Sequence, residues 1–276
     1  MMASRVAGHA LAMRALALAG VAGTLVLALG GCASPPPPTS AAADIQTPSD
    51  ETEVRRRARI RLELASGYFE QGKTEVALDE IRQVITIDPT FAEGYDVRGL
   101  ILMRLNDNRG AEDSFRRALA LNPRDADAHH NLGWLLCQQR RYPEAQQDFD
   151  AAMASPIYNG RAKTLLAEGV CQARAGKAAE AEKTLARSYE LDPGNPITGY
   201  NLANLLFQRG ENARAQFYIR RINNSDLANA ETLWLGVKVE RRMNDPLAMR
   251  QLGDQLKKRF TGTREATAYE RGAFDE

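Results

Sequence analysis

Cysteine and histidine are the side chains in this sequence best able to perform chemistry, and both are scarce. The 276 residues include three of each. His129 and His130 are adjacent, so on a helix their side chains point about 100° apart and cannot bind one ion together. No glycine-rich phosphate loop follows a predicted strand, and no nucleophile-elbow pattern occurs. The sequence therefore predicts a protein that is not an enzyme, with no metal site and no small-molecule substrate.

Cys32 differs from the other cysteines because of the residues that precede it. Residues 1–31 contain two arginines and no acidic residue, and an apolar run of about 15 residues extends from Ala15 to Leu29. This run is shorter than the ~20 residues that a membrane-spanning helix needs, which favours a signal segment over an uncleaved anchor helix. The small residues before Cys32 can admit a peptidase, and the thiol that follows is a nucleophile for a lipid.

The stretch Leu-Gly-Gly-Cys that ends at Cys32 resembles the lipobox of bacterial lipoproteins. The resemblance implies a signal peptide over residues 1–31 and a covalent lipid such as palmitate on Cys32, with no other cofactor. Because Ala33 rather than Asp follows the cysteine, it also implies anchoring to the periplasmic face of the outer membrane. Residues 32–54 are rich in Pro and Ala and polar side chains, which predicts a flexible tether with a reach of roughly 25 Å.

The charge balance excludes a general nucleic-acid binder. The formal net charge of the whole chain is +1. Removing Arg5 and Arg14 from the 36 basic residues leaves 34, against 35 acidic ones, so the mature chain is close to neutral. Nucleic-acid binding requires a clearly basic surface.

A repeat of 34 residues organises the rest of the chain. Pro89 and Pro123 are 34 residues apart, and Pro193 lies 70 residues further on. Twelve residues before each of these prolines is an alanine, and eight residues before each is a bulky apolar residue. The repeat units are 58–91, 92–125, 126–159, 162–195, 196–228 and 229–262.

Each unit contains two apolar-periodic segments of about a dozen residues, which predicts a pair of short helices. Such pairs bury their apolar faces only by stacking on one another. Small residues mark the place where the two helices must approach closely, for example Gly133 in the first helix and Ala145 in the second. These features match the tetratricopeptide repeat, so the predicted fold is all-α: a superhelix of about six helix-turn-helix units over residues 55–262, followed by a tail over 263–276.

The repeat geometry implied by this match places the first helix of every unit on the concave side of the superhelix. The apolar and aromatic side chains expected to line a groove there suit an extended or helical peptide, although any single one could instead be a packing residue. The predicted groove residues are Leu62, Phe69, Leu100, Met103, His130, Trp134, Leu166, Tyr200, Asn204 and Phe207. Trp134 and Tyr200 are the strongest candidates, because aromatic residues dominate binding hot spots.

Two further features leave alternatives open. Cys137 and Cys171 lie on the first helices of units three and four, which stack side by side, so they form either a disulfide in an oxidising compartment or two buried thiols. The basic run of residues 55–61 either contacts anionic headgroups or is a solvated first turn of a helix.

In addition to the repeat pattern, three stretches of the sequence are more distinctive. The chain reads His-Asn-Leu-Gly-Trp-Leu-Leu-Cys up to Cys137, Ser-Pro-Ile-Tyr up to Tyr158, and Gly-Val-Cys up to Cys171. Together with the lipobox, these stretches resemble the type IV pilus biogenesis and stability lipoproteins of the PilF/PilW kind, also called pilotins. Leu132 and Leu135 replace the aromatic residues usual in that family.

The resemblance implies an outer-membrane lipoprotein scaffold. Its expected partner is the pilus secretin subunit, and its expected roles are outer-membrane localisation and assembly of the secretin and stability of the pilus. The alternative is a general periplasm-facing adaptor of the outer membrane that recruits peptidoglycan enzymes or outer-membrane assembly factors.

Overall fold

The computed structural model describes residues 51–274, and within that range the regular structure is entirely helical. The signal peptide and lipid site predicted at residues 1–31 and Cys32, and most of the predicted tether, lie outside the described residues. The helices are α1 (Glu53–Glu70), α2 (Thr74–Ile87), α3 (Ala92–Arg104), α4 (Asn108–Leu121), α5 (Ala126–Gln138), α6 (Tyr142–Met153), α7 (Arg161–Arg174), α8 (Ala178–Leu191), α9 (Pro196–Gln208), α10 (Asn212–Asn223), α11 (Ala230–Arg242), α12 (Pro246–Arg259) and α13 (Arg264–Arg271).

These helices pack as six consecutive pairs, from α1 with α2 to α11 with α12. Each odd-numbered helix also contacts the odd-numbered helix of the next pair, so the first helices of the units form one continuous layer. The predicted superhelix of helix-turn-helix units is confirmed. No helix within residues 51–274 is both long and apolar enough to cross a membrane.

The turn between the two helices of every unit uses a left-handed backbone conformation. The residues with positive φ at these six turns are Gly72, Asn106, Arg140, Gly176, Gly210 and Asn244. Glycine and asparagine tolerate this conformation best, which explains the recurrence of these two types at the break between the helical segments. Arg140 is the exception and adopts a φ of 62° despite its Cβ atom.

Within each unit, a small residue on the first helix leaves room for a bulky side chain from the second. A Cβ atom added to Gly99 would overlap the ring of Phe115, which is fully buried. At Gly133, an added Cβ would lie 3.0 Å from the ring of Phe149 and 3.2 Å from the backbone oxygen of Ala145. The predicted close approach of the two helices is therefore present. The bulky residue of the second helix occupies most of the space beside the glycine.

Both ends of the array differ from the predicted boundaries. Helical structure begins at Glu53, because the Thr52 hydroxyl accepts a hydrogen bond from the Arg55 amide and so caps α1. At the other end, most of the predicted tail forms α13, which contacts both helices of unit six. The ring of Tyr269 packs so closely against Gly253 of α12 that no side chain fits there. α13 therefore covers the face of the sixth unit at the end of the array.

Replacing Gly99 with alanine tests the close crossing. We expect Gly99→Ala to lower the free energy of unfolding by about 1–3 kcal/mol, because the added methyl group forces the buried ring of Phe115 to move. Gly67→Ala in α1 is the matched control: nothing lies within 4 Å of its added Cβ, so it should be stabilising by about 0.5–1 kcal/mol. Urea denaturation followed by circular dichroism measures both values. Equal midpoints for the two variants would show that the crossing tolerates a larger residue.

Candidate peptide-binding groove

The layer of first helices carries a groove whose central part is a cavity of about 470 Å³ between α3, α5, α7 and α9. Its lining is formed by Leu100, His130, Asn131, Trp134, Lys163, Leu166, Ala167, Val170, Arg174, Ile197 and Asn201. Most of these side chains are apolar, and the polar ones are amides, cations and a histidine. The Ile197 side chain is 60% exposed, so the cavity presents an apolar surface to the solvent.

The central cavity continues along the array toward its C-terminal end. A second cavity of about 280 Å³ shares Val170, Arg174 and Asn201 with the first. A third cavity of about 210 Å³ shares Asn204 with the second and includes Tyr200. Because neighbouring cavities have residues in common, they form one elongated groove, a shape that suits an extended peptide better than a compact small molecule.

Six of the ten predicted groove residues line this groove. Leu100, His130, Trp134 and Leu166 line the central cavity, and Tyr200 and Asn204 line the third. His130 is nevertheless almost completely buried, so it contributes mainly to the floor of the cavity.

The other four predicted residues lie outside the three cavities. Phe69 and Phe207 are half-buried beneath cationic side chains, and Met103 packs at the edge of the core that contains Phe115. Leu62 requires a correction: it is buried in the core of the first units rather than exposed on the concave side. The amphipathic pattern of a helix does not show which of these residues are buried. A residue near the edge of the apolar stripe is buried or exposed depending on the side chains of neighbouring helices.

Lys163, Arg174 and Ile197 were missed by the sequence analysis, although they occupy repeat positions that face the groove. Lys163 and Ile197 are the second residues of units four and five, and Arg174 is the thirteenth residue of unit four. The prediction selected mainly apolar and aromatic residues at these positions and passed over the two cations. Arg174 lies over the indole ring of Trp134, with its guanidinium carbon 5.1 Å from the ring centroid.

A buried polar network supports the floor of the groove. The Thr164 hydroxyl lies 2.9 Å from Nδ1 of His130 and 3.1 Å from the hydroxyl of Tyr158, which also donates to Asp127 at 3.3 Å. Burial lowers the pKa of His130 to about 3, so this imidazole is neutral at physiological pH. The network joins α5 and α7 to the irregular corner that precedes α7, where Ile157 is 85% exposed.

The two adjacent histidines have separate structural roles. His129 Nδ1 lies 2.8 Å from the carboxylate of Asp148 on α6, and this hydrogen bond raises the pKa of the imidazole. His130 instead contacts α7 through Thr164. Within residues 51–274 no group of three His, Cys, Asp or Glu side chains is arranged to hold a metal ion.

Asp96 is a partly buried carboxylate beside the groove. Both of its oxygens accept hydrogen bonds from Nδ2 of Asn131, at 3.0 and 3.1 Å. Burial raises its pKa to about 7, because desolvation disfavours the ionised form and the amide compensates only in part. Asp125 and Asp127 add repulsion, while Lys163 acts in the opposite direction.

Cys137 and Cys171 form a disulfide in the structure, with their Cα atoms 5.7 Å apart. It joins α5 to α7, and both cysteines are buried next to the groove. Trp134 is on the first of these helices and Arg174 on the second, so the bridge holds the two walls of the central cavity together.

The basic run at the start of α1 is largely neutralised by carboxylates of the array itself. Four of its arginines form ion pairs: Arg55 with Asp88, Arg56 with Glu53, Arg59 with Glu51 and Glu63, and Arg61 with Glu80. These pairs favour the interpretation of the run as an ordinary helix surface.

The comparisons with known proteins agree with this architecture. Tetratricopeptide repeat models match residues 97–162, 139–196 and 172–232. The chain is a tetratricopeptide repeat protein. Proteins built from such repeats generally bind protein partners on extended concave surfaces, and no catalytic family is among these matches.

Among the relatives of this tetratricopeptide repeat protein is the type IV pilus assembly protein PilF of Pseudomonas aeruginosa. The two are 28% identical over 221 residues, which is 80% of this chain and 88% of PilF. The solved structure of Pseudomonas aeruginosa PilF superposes with a TM-score of 0.71 at 27% identity, and the crystal structure of PilW, a widely conserved type IV pilus biogenesis factor, with 0.73 at 28%. Each superposition covers 79% of this chain and 99% of the other. The resemblance identified from the sequence is confirmed, and it supports a role in type IV pilus biogenesis.

Reduction of the disulfide should destabilise the repeat protein. Cys137 and Cys171 are 34 residues apart, and closing a loop of this size is worth about 3–4 kcal/mol in the chain-entropy model. We expect a reducing agent to lower the urea midpoint of the native chain and to leave that of a Cys137→Ala/Cys171→Ala variant unchanged. If the native midpoint is the same with and without reductant, the bridge does not contribute to stability.

Asp96 should make stability depend on pH. Its pKa is raised to about 7 in the folded protein from about 3.9 in the unfolded chain, so the folded state binds more protons between these values. Stability contributed by this residue therefore falls as the pH rises from 4 to 7. We expect Asp96→Asn to be more stable than the native chain by about 2 kcal/mol at pH 8, and by much less at pH 4. Denaturation at both pH values measures the difference, and a gap independent of pH would contradict the assignment.

Proposed function

We propose that this chain is an outer-membrane lipoprotein scaffold that binds the type IV pilus secretin subunit through the groove on its first helices. By holding the secretin subunit at the outer membrane, it promotes localisation and assembly of the secretin ring and stability of the pilus. The observation that carries the proposal is the elongated apolar groove from Leu100 to Tyr200 in a chain similar to PilF and PilW over four fifths of its length.

The predicted N-terminal region supports this role because it would attach the array to the outer membrane. A lipid on Cys32 would fix the chain to the membrane, and the Pro/Ala-rich segment that follows would let the array reach a partner some tens of ångströms away. In this arrangement the lipid selects the membrane and the groove selects the partner. Neither step requires catalysis, which agrees with the non-enzymatic character predicted from the sequence.

A strain carrying Trp134→Ala tests the groove. We expect this variant to reduce detergent-resistant secretin multimers and surface pili severely, because truncating an aromatic hot spot costs about 2 kcal/mol, or roughly thirtyfold in affinity. Phe217→Ala is the matched control: this aromatic residue on α10 is 63% exposed and lies outside the groove. Immunoblots of outer-membrane fractions and counts of surface pili provide the measurements.

Two results would contradict the proposal. If deletion of the whole chain leaves secretin multimers unchanged, the secretin is not its client. If deletion abolishes the multimers but Trp134→Ala assembles them normally, the groove is not the site of contact. Affinity capture from solubilised envelopes separates the alternative: peptidoglycan hydrolases or barrel-assembly subunits as the main partners, in place of the secretin, would support a general adaptor.

A further inference from the structure

The central cavity of the groove contains two cations and no carboxylate. Lys163 and Arg174 both belong to α7 and both line the cavity. Among the residues that the structure describes, no carboxylate oxygen lies within 4.0 Å of a charged nitrogen of either side chain. An apolar surface bordered by positive charges that form no ion pair is complementary to a ligand that is both apolar and acidic.

Elsewhere in the array, cations between helices are paired with acids. Arg141 contacts Glu112 at 2.7 Å and Glu144 at 2.6 Å. Arg220 contacts Glu240, a fully buried carboxylate, through two hydrogen bonds of 2.6 and 2.8 Å. The chain thus pairs arginines where they hold neighbouring helices together, and it leaves the two cavity cations without such partners.

Arg174 is also held in place before any ligand binds. Its guanidinium group lies over the indole ring of Trp134, which restricts the side chain while leaving its N–H groups able to meet a carboxylate. The same arrangement recurs along the first helices. Arg104 lies 4.4 Å from the ring centroid of Phe69, and Lys238 lies 5.9 Å from that of Phe207. The cations therefore follow the aromatic residues from one end of the layer to the other.

The acidic residues nearest to the groove do not neutralise its central part. Asp96 is hydrogen-bonded to Asn131 and forms no ion pair with a cavity cation, although Lys163 is close enough to favour its ionised form. Glu231 and Glu265 line the third cavity, but Lys238 and Arg264 line it too, so the charges balance there. The excess of positive charge is thus confined to the part of the groove on α5, α7 and α9.

The length of this positive section limits the ligand to a short segment. Packed helices are about 10 Å apart, so the section from α5 to α9 extends about 20 Å, which an extended chain covers with about six residues. The amide of Asn201 uses only its NH₂ group within the array, donating to the carbonyl oxygen of Ile197 at 2.8 Å. Its oxygen remains able to accept a hydrogen bond from a peptide backbone.

We infer that the central groove binds an extended acidic segment of a protein partner, with a large apolar side chain in the cavity and carboxylates on Lys163 and Arg174. This inference rests on the proposed function of the groove as the partner site and adds the chemistry of the segment that it selects. The bound segment combines Asp or Glu with a neighbouring Phe, Leu, Met or Trp.

Selection from a random dodecapeptide phage library tests the inference on the full chain purified in detergent. We expect the enriched peptides to carry acidic residues next to a large apolar residue. The double variant Lys163→Glu/Arg174→Glu should lose this preference and select basic residues instead. The matched control is Lys183→Glu/Arg221→Glu, which reverses one lysine and one arginine at exposed positions on second helices and should select the same acidic peptides as the native chain.

An affinity measurement completes the test. The most enriched peptide, labelled with fluorescein, should bind the groove double variant at least thirtyfold more weakly than the native chain, and its affinity should fall with added salt. Lys163→Gln/Arg174→Gln, which removes the charges without introducing acids, should weaken binding by an intermediate factor. Equal denaturation midpoints for all variants establish that they are folded.

Enrichment without acidic residues, or an acidic preference that survives reversal of the groove cations, overturns the inference. These outcomes are distinct from failure of the proposed function. If Trp134→Ala abolishes secretin multimers while the library shows no acidic preference, the proposed function is supported and the inferred acidic character of the bound segment is wrong. If acidic peptides bind as expected while Trp134→Ala leaves the multimers intact, the inferred chemistry of the groove is correct and the groove is not where the secretin is bound.

Discussion

The close crossing of two helices within each unit is the constraint on which the rest of the structure depends. A glycine or alanine on the first helix admits a bulky residue from the second, as Gly99 admits Phe115. This contact fixes the distance between the two helices, and repetition of the distance fixes how one pair stacks on the next. The groove exists because all first helices then lie in one layer, where their exposed positions form a continuous surface.

Two contacts besides helix packing connect neighbouring units in the middle of the array. The disulfide between Cys137 and Cys171 and the contact of Thr164 with His130 both connect α5 to α7. These helices also form the two walls of the central cavity. A preformed cavity loses less conformational entropy when a partner binds, so extra connections at this point favour affinity as well as stability.

Charged side chains are arranged differently at the helix interfaces and on the surface of the groove. Paired carboxylates neutralise arginines at helix interfaces, where an unpaired buried charge is costly. Lys163 and Arg174 are exposed to solvent, so they can remain without acidic partners at little cost, and they retain their charge for a ligand. Asp96 is intermediate between these cases, because burial raises its pKa and Lys163 opposes that rise only in part, without forming an ion pair with it.

The sequence by itself determined the repeat, its period, the helix pairs and the small residues at their crossing, because these patterns are local and recur along the chain. Together with the geometry implied by the tetratricopeptide match, it also identified Trp134, Leu100 and Tyr200 as groove residues. The tertiary structure decided which candidates are accessible, burying Leu62 and revealing Lys163 and Arg174, since exposure depends on neighbours from other units. It likewise decided that residues 264–271 cover the last unit, a role that short local patterns do not encode because it depends on the exposed face left by α11 and α12.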